Sequence, residues 1–251
     1  MQCVTWKSSS SKIASIDKET GEITCKKAGT VTITATASDG SGKKATFKLT
    51  IVLRPTGIYF DNLDYGVIAG GKSVKIKTVL LDGNGNKVTG KKLEWGYEPF
   101  PGDTEEDGTA YVTSLVGGTL KTKKVTEPKR ILVTVKTVEK YESWESDVFK
   151  YLVEIYPATS SVQIMYNGKD AGKTIWADLN DGGLVLGGTA KSLTGDEPFQ
   201  YFIWKSSNTK IAEVDAYTGE VIFHKAGTVT ITATSADGTA KKDTVKITIR
   251  K

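Results

Sequence analysis

The block from Trp6 to Ile51 appears twice in this chain. It returns as Trp204 to Ile249 at a constant offset of 198 positions, without a gap, and 29 of its 46 residues are identical. Repetition on that scale means that one structural unit is used again, and it argues against a single large fold spread over the whole chain.

The repeated block reads as strands. TVTITAT (Thr30–Thr36 and Thr228–Thr234) is β-branched and alternates with period two, so one face is apolar and the other hydroxylated. It carries almost no strong helix former. The turn signals Asp39-Gly40 and Asp237-Gly238 follow it. Ahead of it, Lys12–Asp17 and Glu22–Lys26 form two short strands joined around Gly21, and Lys210–Asp215 and Glu220–His224 repeat them around Gly219. Ala45–Leu53 and Thr244–Arg250 are the closing strands. Trp6 and Trp204 open each block and are expected to fill the space between two packed sheets.

The order W-x-S-S, then I-A-x-[IV]-D, then T-G-x-[IV], then K-A-G-T-x-x-I-x-A-T is similar to the bacterial immunoglobulin-like domain of group 2, as in intimin- and invasin-type surface proteins. The residues that carry the resemblance include Trp6, Ser8, Ser9, Asp17, Thr20, Gly21, Lys27 and Gly29, and again Trp204, Ser206, Ser207, Asp215, Thr218, Gly219, Lys225 and Gly227. It covers the first and last units closely and the middle loosely. It implies an all-β fold of tandem immunoglobulin-like β-sandwiches on a bacterial surface, in an adhesin or in a phage structural protein. It brings no catalytic residues with it.

A chain of 251 residues fits two to three sandwiches of about 90–100 residues each. The expected division is 1–53, 54–156 and 157–251. Arg54-Pro55-Thr56-Gly57 and Pro157-Ala158-Thr159 are the linkers, because proline cannot donate to a ladder. In the diverged middle unit Ser73–Leu81 reads as one strand, Trp95 stands where Trp6 and Trp204 stand, and Ile131–Val138 replaces TVTITAT. Gly183–Leu193 reads as one strand of the last unit. The chain starts five residues before Trp6, whereas 47 residues separate Pro157 from Trp204. The first unit is therefore expected to lack its opening strands, and the chain to be a fragment of a longer protein. Met1–Ser9 has no secretory leader pattern.

Net charge is +5 with the signs interspersed, so the chain lacks the basic stripe that nucleic-acid binding needs. No apolar run reaches the roughly 18 residues of a membrane span. Cys3 and Cys25 fall on opposite strand faces by alternation, with Cys25 inward beside Ile23, which favours two unpaired thiols.

Candidate sites are few. Asp82-Gly83-Asn84-Gly85-Asn86 has the first half of a calcium loop, but Lys87 and Leu93 stand where glycine and a bidentate glutamate belong, so a hairpin turn is expected. The acidic run Asp103–Asp107 and the weaker cluster Asp178, Asn180 and Asp181 read as solvated loops before they read as cation sites. Gly70-Gly71-Lys72-Ser73 lacks the first glycine of a phosphate loop and precedes a strand. His224, the single histidine, replaces Lys26 of the first copy and is expected to face solvent. No metal or cofactor motif is present, and no catalytic role is expected. Tyr141 and Trp144, in an acidic loop, are the candidate contact surface: they stack on a glycan, anchor a protein partner, or pack against the adjoining unit. The favoured role is a stalk or spacer of a cell-surface or secreted protein, joined to other domains of a longer parent chain. The alternatives are a carbohydrate-binding array and a phage virion appendage.

Overall fold

The computed structural model describes residues 4–63, 65–102, 108–138 and 148–251. Regular structure is almost all β, with single 3-10 turns at Gly108–Tyr111 and Leu179–Asp181. The chain forms two compact units. One runs to Ile58 and includes Val79–Gly90; the other comprises Tyr59–Thr78 and Lys91–Lys251.

The last repeat lies in the larger unit and is a closed sandwich. One sheet runs in the order Thr174–Asp178, Lys242–Arg250, Gly227–Ser235, Phe202–Ser206, and its first pair is parallel. Across from it lie two three-stranded sheets, one of Gly183–Val185, Glu220–Phe223 and Ala212–Val214, the other of Lys169–Asp170, Thr159–Tyr166 and Gly187–Ser192. The alternation of TVTITAT puts Val229, Ile231 and Ala233 inward, where they meet Ile164, Leu186, Val221 and Trp204. Each fully buried aliphatic side chain in such a core stabilises the fold by about 1.5–3 kcal/mol.

The middle block builds the same kind of sheet from Leu93–Pro99, Lys129–Thr137, Phe149–Tyr156 and Val67–Ala69, again with a parallel outer pair. It differs from the expected pattern in one respect. Ser73–Leu81 is two strands, Ser73–Lys75 and Thr78–Leu81, in different sheets. Gly183–Leu193 breaks in the same way, into Gly183–Val185 and Gly187–Ser192. The pivot is a buried apolar residue in each case. The Ile76 N–H donates to Gly118 O (2.7 Å) and the Leu186 N–H to Gly219 O (3.0 Å). A strand that changes sheets around a core-facing residue keeps its apolar alternation, so period two alone does not reveal the break.

Gly219 belongs to a motif found in both copies of the repeated block. Asp17 Oδ1 accepts from the backbone N–H groups of Glu19 and Thr20, and Asp215 Oδ1 from those of Tyr217 and Thr218. The turn so capped brings a glycine to positive φ beneath the tryptophan: Gly21 (+76°) under Trp6, and Gly219 (+75°) under Trp204. Gly118 (+78°) lies under Trp95 in the middle block. The second serine of W-x-S-S has a structural role too. Ser9 Oγ accepts from Thr32 N–H and Ser207 Oγ from Thr230 N–H, each at 2.9 Å, which ties the block's entry to its long strand.

The first repeat, in the smaller unit, carries the same strands with less cover. It has one sheet of Val4–Ser8, Gly29–Ala37 and Lys44–Ile51, and a hairpin of Ala14–Ile16 with Ile23–Cys25. Its fully buried core is Ala14, Val31 and Ile33. Phe47 is 47% exposed where its counterpart Val245 is 1% exposed. Cys25, expected inward, is an exposed free thiol, whereas its counterpart Phe223 is buried. Strand alternation places Cys25 on the same face as buried Ala14, its cross-strand partner, but among the described residues no strand pairs with the outer edge of Ile23–Cys25, as Gly183–Val185 pairs with Glu220–Phe223 in the last repeat. Cys3 lies outside the described residues. With fewer buried side chains in the first repeat, backbone amides of Gly29–Ala37 should exchange with deuterium at least ten-fold faster than those of Gly227–Ser235, read by hydrogen-exchange mass spectrometry. Equal protection would contradict this reading of the exposed core.

Candidate functional site

The most heavily built polar site in the larger unit surrounds Asp237. The strand closing the middle block ends at Tyr156, and the strand opening the last block starts at Thr159. Only Pro157 and Ala158 lie between them. Asp237 follows Gly227–Ser235 in the last block and is fully buried. Its Oδ2 accepts from Thr159 N–H at 2.9 Å. Its Oδ1 accepts from the Ser235 hydroxyl at 2.8 Å, the Thr239 N–H at 2.9 Å and the Thr239 hydroxyl at 2.6 Å. The Ser235 and Thr159 hydroxyls are 3.0 Å apart. The Asp237 carbonyl accepts from Ala69 N–H at 2.8 Å, so the same residue reaches the outer strand of the middle sheet. Burial pushes the Asp237 carboxyl up. The hydrogen bonds from Thr239 and Thr159 outweigh burial and hold its pKa below the ordinary carboxylate value.

An aromatic cluster lies in the same unit. Tyr65, from the turn after Gly57–Phe60, contacts Phe199 (centroids 5.7 Å apart), Tyr201 (5.0 Å) and Tyr217 (6.0 Å). Phe199 also packs on Tyr156 at 4.9 Å. Edge and tilted contacts of this kind add about 0.5–1.5 kcal/mol each beyond the area they bury. A cleft of about 530 Å³ opens beside Tyr156 and Phe199, with Glu127, Asp196 and Glu197 on its rim. Among the described residues no three acidic, histidine or cysteine side chains converge closely enough to hold a metal ion.

Neither set was singled out in the sequence. One signal was available: the first copy reads Thr36-Ala37-Ser38-Asp39 and the last Thr234-Ser235-Ala236-Asp237. The serine moves to the inward position, where its hydroxyl reaches the carboxylate. Asp39, in the same turn, is exposed and accepts from Ser41 N–H.

None of the described residues named as candidates in the sequence donates to the Asp237 carboxylate. Asp82 Oδ1 accepts from the N–H groups of Asn84 and Asn86, and Asp82 N–H donates to Asn86 O, so the Asp82–Asn86 stretch is a self-satisfied turn. Asp178 caps the 3-10 turn through Asn180 N–H. The Gly70 and Gly71 amides donate to Tyr156 O and Lys123 O and are not free to cradle a phosphate. His224 is exposed, with Nε2 3.6 Å from Glu213 Oε2. Asp103–Asp107 and the contact candidates Tyr141 and Trp144 lie outside the described residues. No helix among the described residues is long and apolar enough to cross a membrane.

Comparison with known proteins agrees with these observations. Residues 2–47 match the bacterial Ig-like domain (group 2), and residues 187–237 match the intimin immunoglobulin-like domain. No curated protein matches the chain in sequence. Among solved structures, mouse cadherin-23 EC22-24 is 12% identical over 99% of this chain and 86% of that chain, with a TM-score of 0.33. Domains 1-6 of the surface layer protein SbsC are 14% identical over 99% of this chain but 37% of that one, with a TM-score of 0.28. A C-terminal 282-residue intimin fragment, in complex with the intimin-binding domain of the translocated intimin receptor, is 19% identical over 87% of this chain and 57% of that chain, with a TM-score of 0.25. These scores lie below 0.5, and the fold rests on the sheets themselves. The chain is thus an all-β array of immunoglobulin-like sandwiches, similar to the bacterial Ig-like domain (group 2) over its first block and to the intimin immunoglobulin-like domain within its last.

Proposed function

We propose that this chain is a non-catalytic structural segment, a stalk or spacer, of a bacterial cell-surface or secreted protein. Its larger unit would hold two sandwiches at a fixed mutual angle. The observation that carries this reading is the fully buried Asp237, whose carboxylate takes the first N–H of the incoming strand at Thr159 while its carbonyl takes Ala69 N–H. Domains joined by a plain linker move relative to one another by default. A two-residue connection flanked by a buried, fully bonded carboxylate and an aromatic cluster opposes that motion. The match of residues 187–237 to the intimin domain supports a surface setting. Tyr141 and Trp144 enter the proposal as the contact surface for a protein or glycan ligand, on their sequence context alone.

The test is a pair of spin labels on the two sandwiches of the larger unit. They would be placed at Val116→Cys and Val185→Cys, both on exposed strand positions, with Cys3→Ser and Cys25→Ser as background. Double electron-electron resonance should give one narrow distance distribution. Adding Asp237→Ala should broaden it. A broad distribution in the otherwise native chain would remove the spacer reading.

A further inference from the structure

We infer that the cleft beside Tyr156 and Phe199 is a docking site for an arginine side chain carried on an extended segment of a protein partner. The site lies wholly within the larger unit and depends neither on the stalk reading nor on Tyr141 and Trp144. Its walls are aromatic. Phe199 is buried, Tyr156 half-buried and Tyr201 exposed, and all three line the cleft of about 530 Å³. Phe199 and Tyr201 stack, with centroids 5.0 Å apart and ring planes 29° from parallel. Tyr201 continues the aromatic surface to Tyr65, and Tyr65 to Tyr217, both of them exposed. Contiguous exposed rings mark contact surfaces, where tyrosine is enriched. Clefts of about 300–1,000 Å³ take ligands larger than one side chain, so there is room for the backbone that bears it.

The rim is acidic. Glu127, Asp196 and Glu197 line the cleft, and no basic side chain does among the described residues. The chain as a whole has a net charge of +5, so this concentration of carboxylates is local. Glu127 is paired with Lys129 at 2.6 Å, whereas Asp196 and Glu197 make no ion pair among the described residues. Asp196 Oδ2 is buried and has no hydrogen-bond partner. A carboxylate oxygen withdrawn from water without a donor is costly and rare, and a nearby cation relieves that cost. Negative charge reaches the wall as well. Burial first, then Glu154, Tyr201 and Glu197, pushes the Tyr156 phenol up.

The loop that supplies most of the lining is braced by its own side chains. Gln200 Oε1 accepts from Ala190 N–H at 2.8 Å, and Gln200 Nε2 donates to Ala190 O at 3.1 Å and to Pro198 O at 3.2 Å. The Ser192 hydroxyl donates to Asp196 O at 2.6 Å. The loop is thus tied twice to the strand Gly187–Ser192, and a ligand has little ordering left to cause. A guanidinium matches this combination better than an ammonium does. It is planar, stacks on aromatic faces and forks onto a carboxylate. A neutral glycan would use the same rings but brings no charge to the two unpaired carboxylates.

The experiment titrates the full chain into a labelled peptide, Thr-Arg-Thr-Arg-Thr, and reads fluorescence anisotropy. Alternation puts both arginines on one side of an extended backbone. The expected result is saturable one-to-one binding with a Kd below about 1 mM. A peptide with citrulline at both arginine places keeps the shape without the charge and should bind at least ten-fold more weakly. The double variant Asp196→Asn with Glu197→Gln should weaken binding of the arginine peptide to the same degree. Neutralising two exposed carboxylates elsewhere in the unit, Glu213→Gln with Glu220→Gln, should leave binding unchanged. If the Asp196→Asn chain does not fold, the citrulline comparison on the native chain still decides. No binding up to about 1 mM overturns the inference. So does equal binding of the citrulline peptide, and so does an equal loss in the Glu213 and Glu220 variant, which would mean unspecific attraction. A chain that ignores the arginine peptide but binds maltohexaose or chitohexaose, and loses that binding with Tyr201→Ala, would give the cleft to a glycan and overturn the inference as well.

Discussion

Asp237→Ala should destabilise the larger unit by about 3–5 kcal/mol, the largest loss expected from any single charged residue among those described. The carboxylate takes four donors: two backbone N–H groups and two hydroxyls. Each buried donor left without an acceptor costs about 1–3 kcal/mol. The sum is held down because the Ser235 and Thr239 hydroxyls can rotate, and Ser235 Oγ already has Thr159 Oγ1 at 3.0 Å. The Thr159 amide has no such freedom. Asp237→Asn keeps the shape but replaces one acceptor oxygen by a donor, so it should fall between the native chain and the alanine variant. Asp39→Ala, at the matching place in the first copy, should leave its unit's transition in place, because Asp39 is exposed. The pH dependence has a definite sign. The folded-state pKa of Asp237 lies below its ordinary value of 3.8, so the carboxylate contributes stability that is fully present above that value and is lost as pH falls through the folded pKa. Urea midpoints of the native chain and Asp237→Ala should therefore differ by a constant amount from pH 7 down to about 5, and the difference should narrow as pH falls below about 4. Asp17, Asp82, Asp170 and Asp215 also have lowered pKa values, but they titrate alike in both proteins and cancel in the difference. A difference that persists unchanged into strong acid would mean that the charge on Asp237 is not what the four donors require.

What the sequence made legible was whatever is local and repeated. The long strand, its inward row Val229, Ile231 and Ala233, the tryptophan and the D-x-x-T-G turn all act within a few residues of one another, and two copies in one chain exposed them. The change of sheet at Ile76 and Leu186 stayed hidden, because a core-facing pivot preserves the very alternation that signals a continuous strand. Cys25 was placed on the correct face, but burial is decided by what covers that face. Residues in the positions of Ile175, Leu184 and Leu186 are far along the chain and are not supplied to the first copy by any described strand. The Asp237 site needed a comparison of a different kind. Asp39 and Asp237 read alike, and the serine that distinguishes them had moved by one position. The aromatic cluster draws on Tyr65, Tyr156, Phe199 and Tyr217, which share no spacing at all. They meet only because the two sandwiches of the larger unit meet.

Gly219→Ala should rank close to Asp237→Ala, at about 2–5 kcal/mol, and the same substitution in the three blocks should give three different losses. Every one of these glycines sits at positive φ, which costs an L-residue roughly 1–2 kcal/mol before any contact is considered. Contacts then separate them. A Cβ on Gly219 would lie 2.5 Å from the Leu186 carbonyl oxygen and 3.0 Å from the Trp204 ring. Neither neighbour can yield, because Leu186 and Trp204 are core residues and the Leu186 N–H is bonded to Gly219 O. Overpacking of that kind typically adds about 1–3 kcal/mol. On Gly118 the new Cβ would meet the Trp95 ring at 2.7 Å but the Ile76 carbonyl only at 3.3 Å. On Gly21 its three nearest neighbours would be ring atoms of Trp6, from 2.9 Å, and Trp6 is half-buried where Trp204 is buried. The expected order of loss is Gly219, then Gly118, then Gly21, with Gly21→Ala close to the backbone cost by itself. Gly40→Ala supplies that baseline, since Gly40 has φ +83° and nothing within 4 Å of an added Cβ. Urea denaturation followed by tryptophan fluorescence resolves the order. If Gly219→Ala lost no more than Gly40→Ala, the tryptophan and the sheet-switching strand would not be packed against that glycine. The closed core of the last sandwich, and with it the contrast to the open first repeat, would have to be given up.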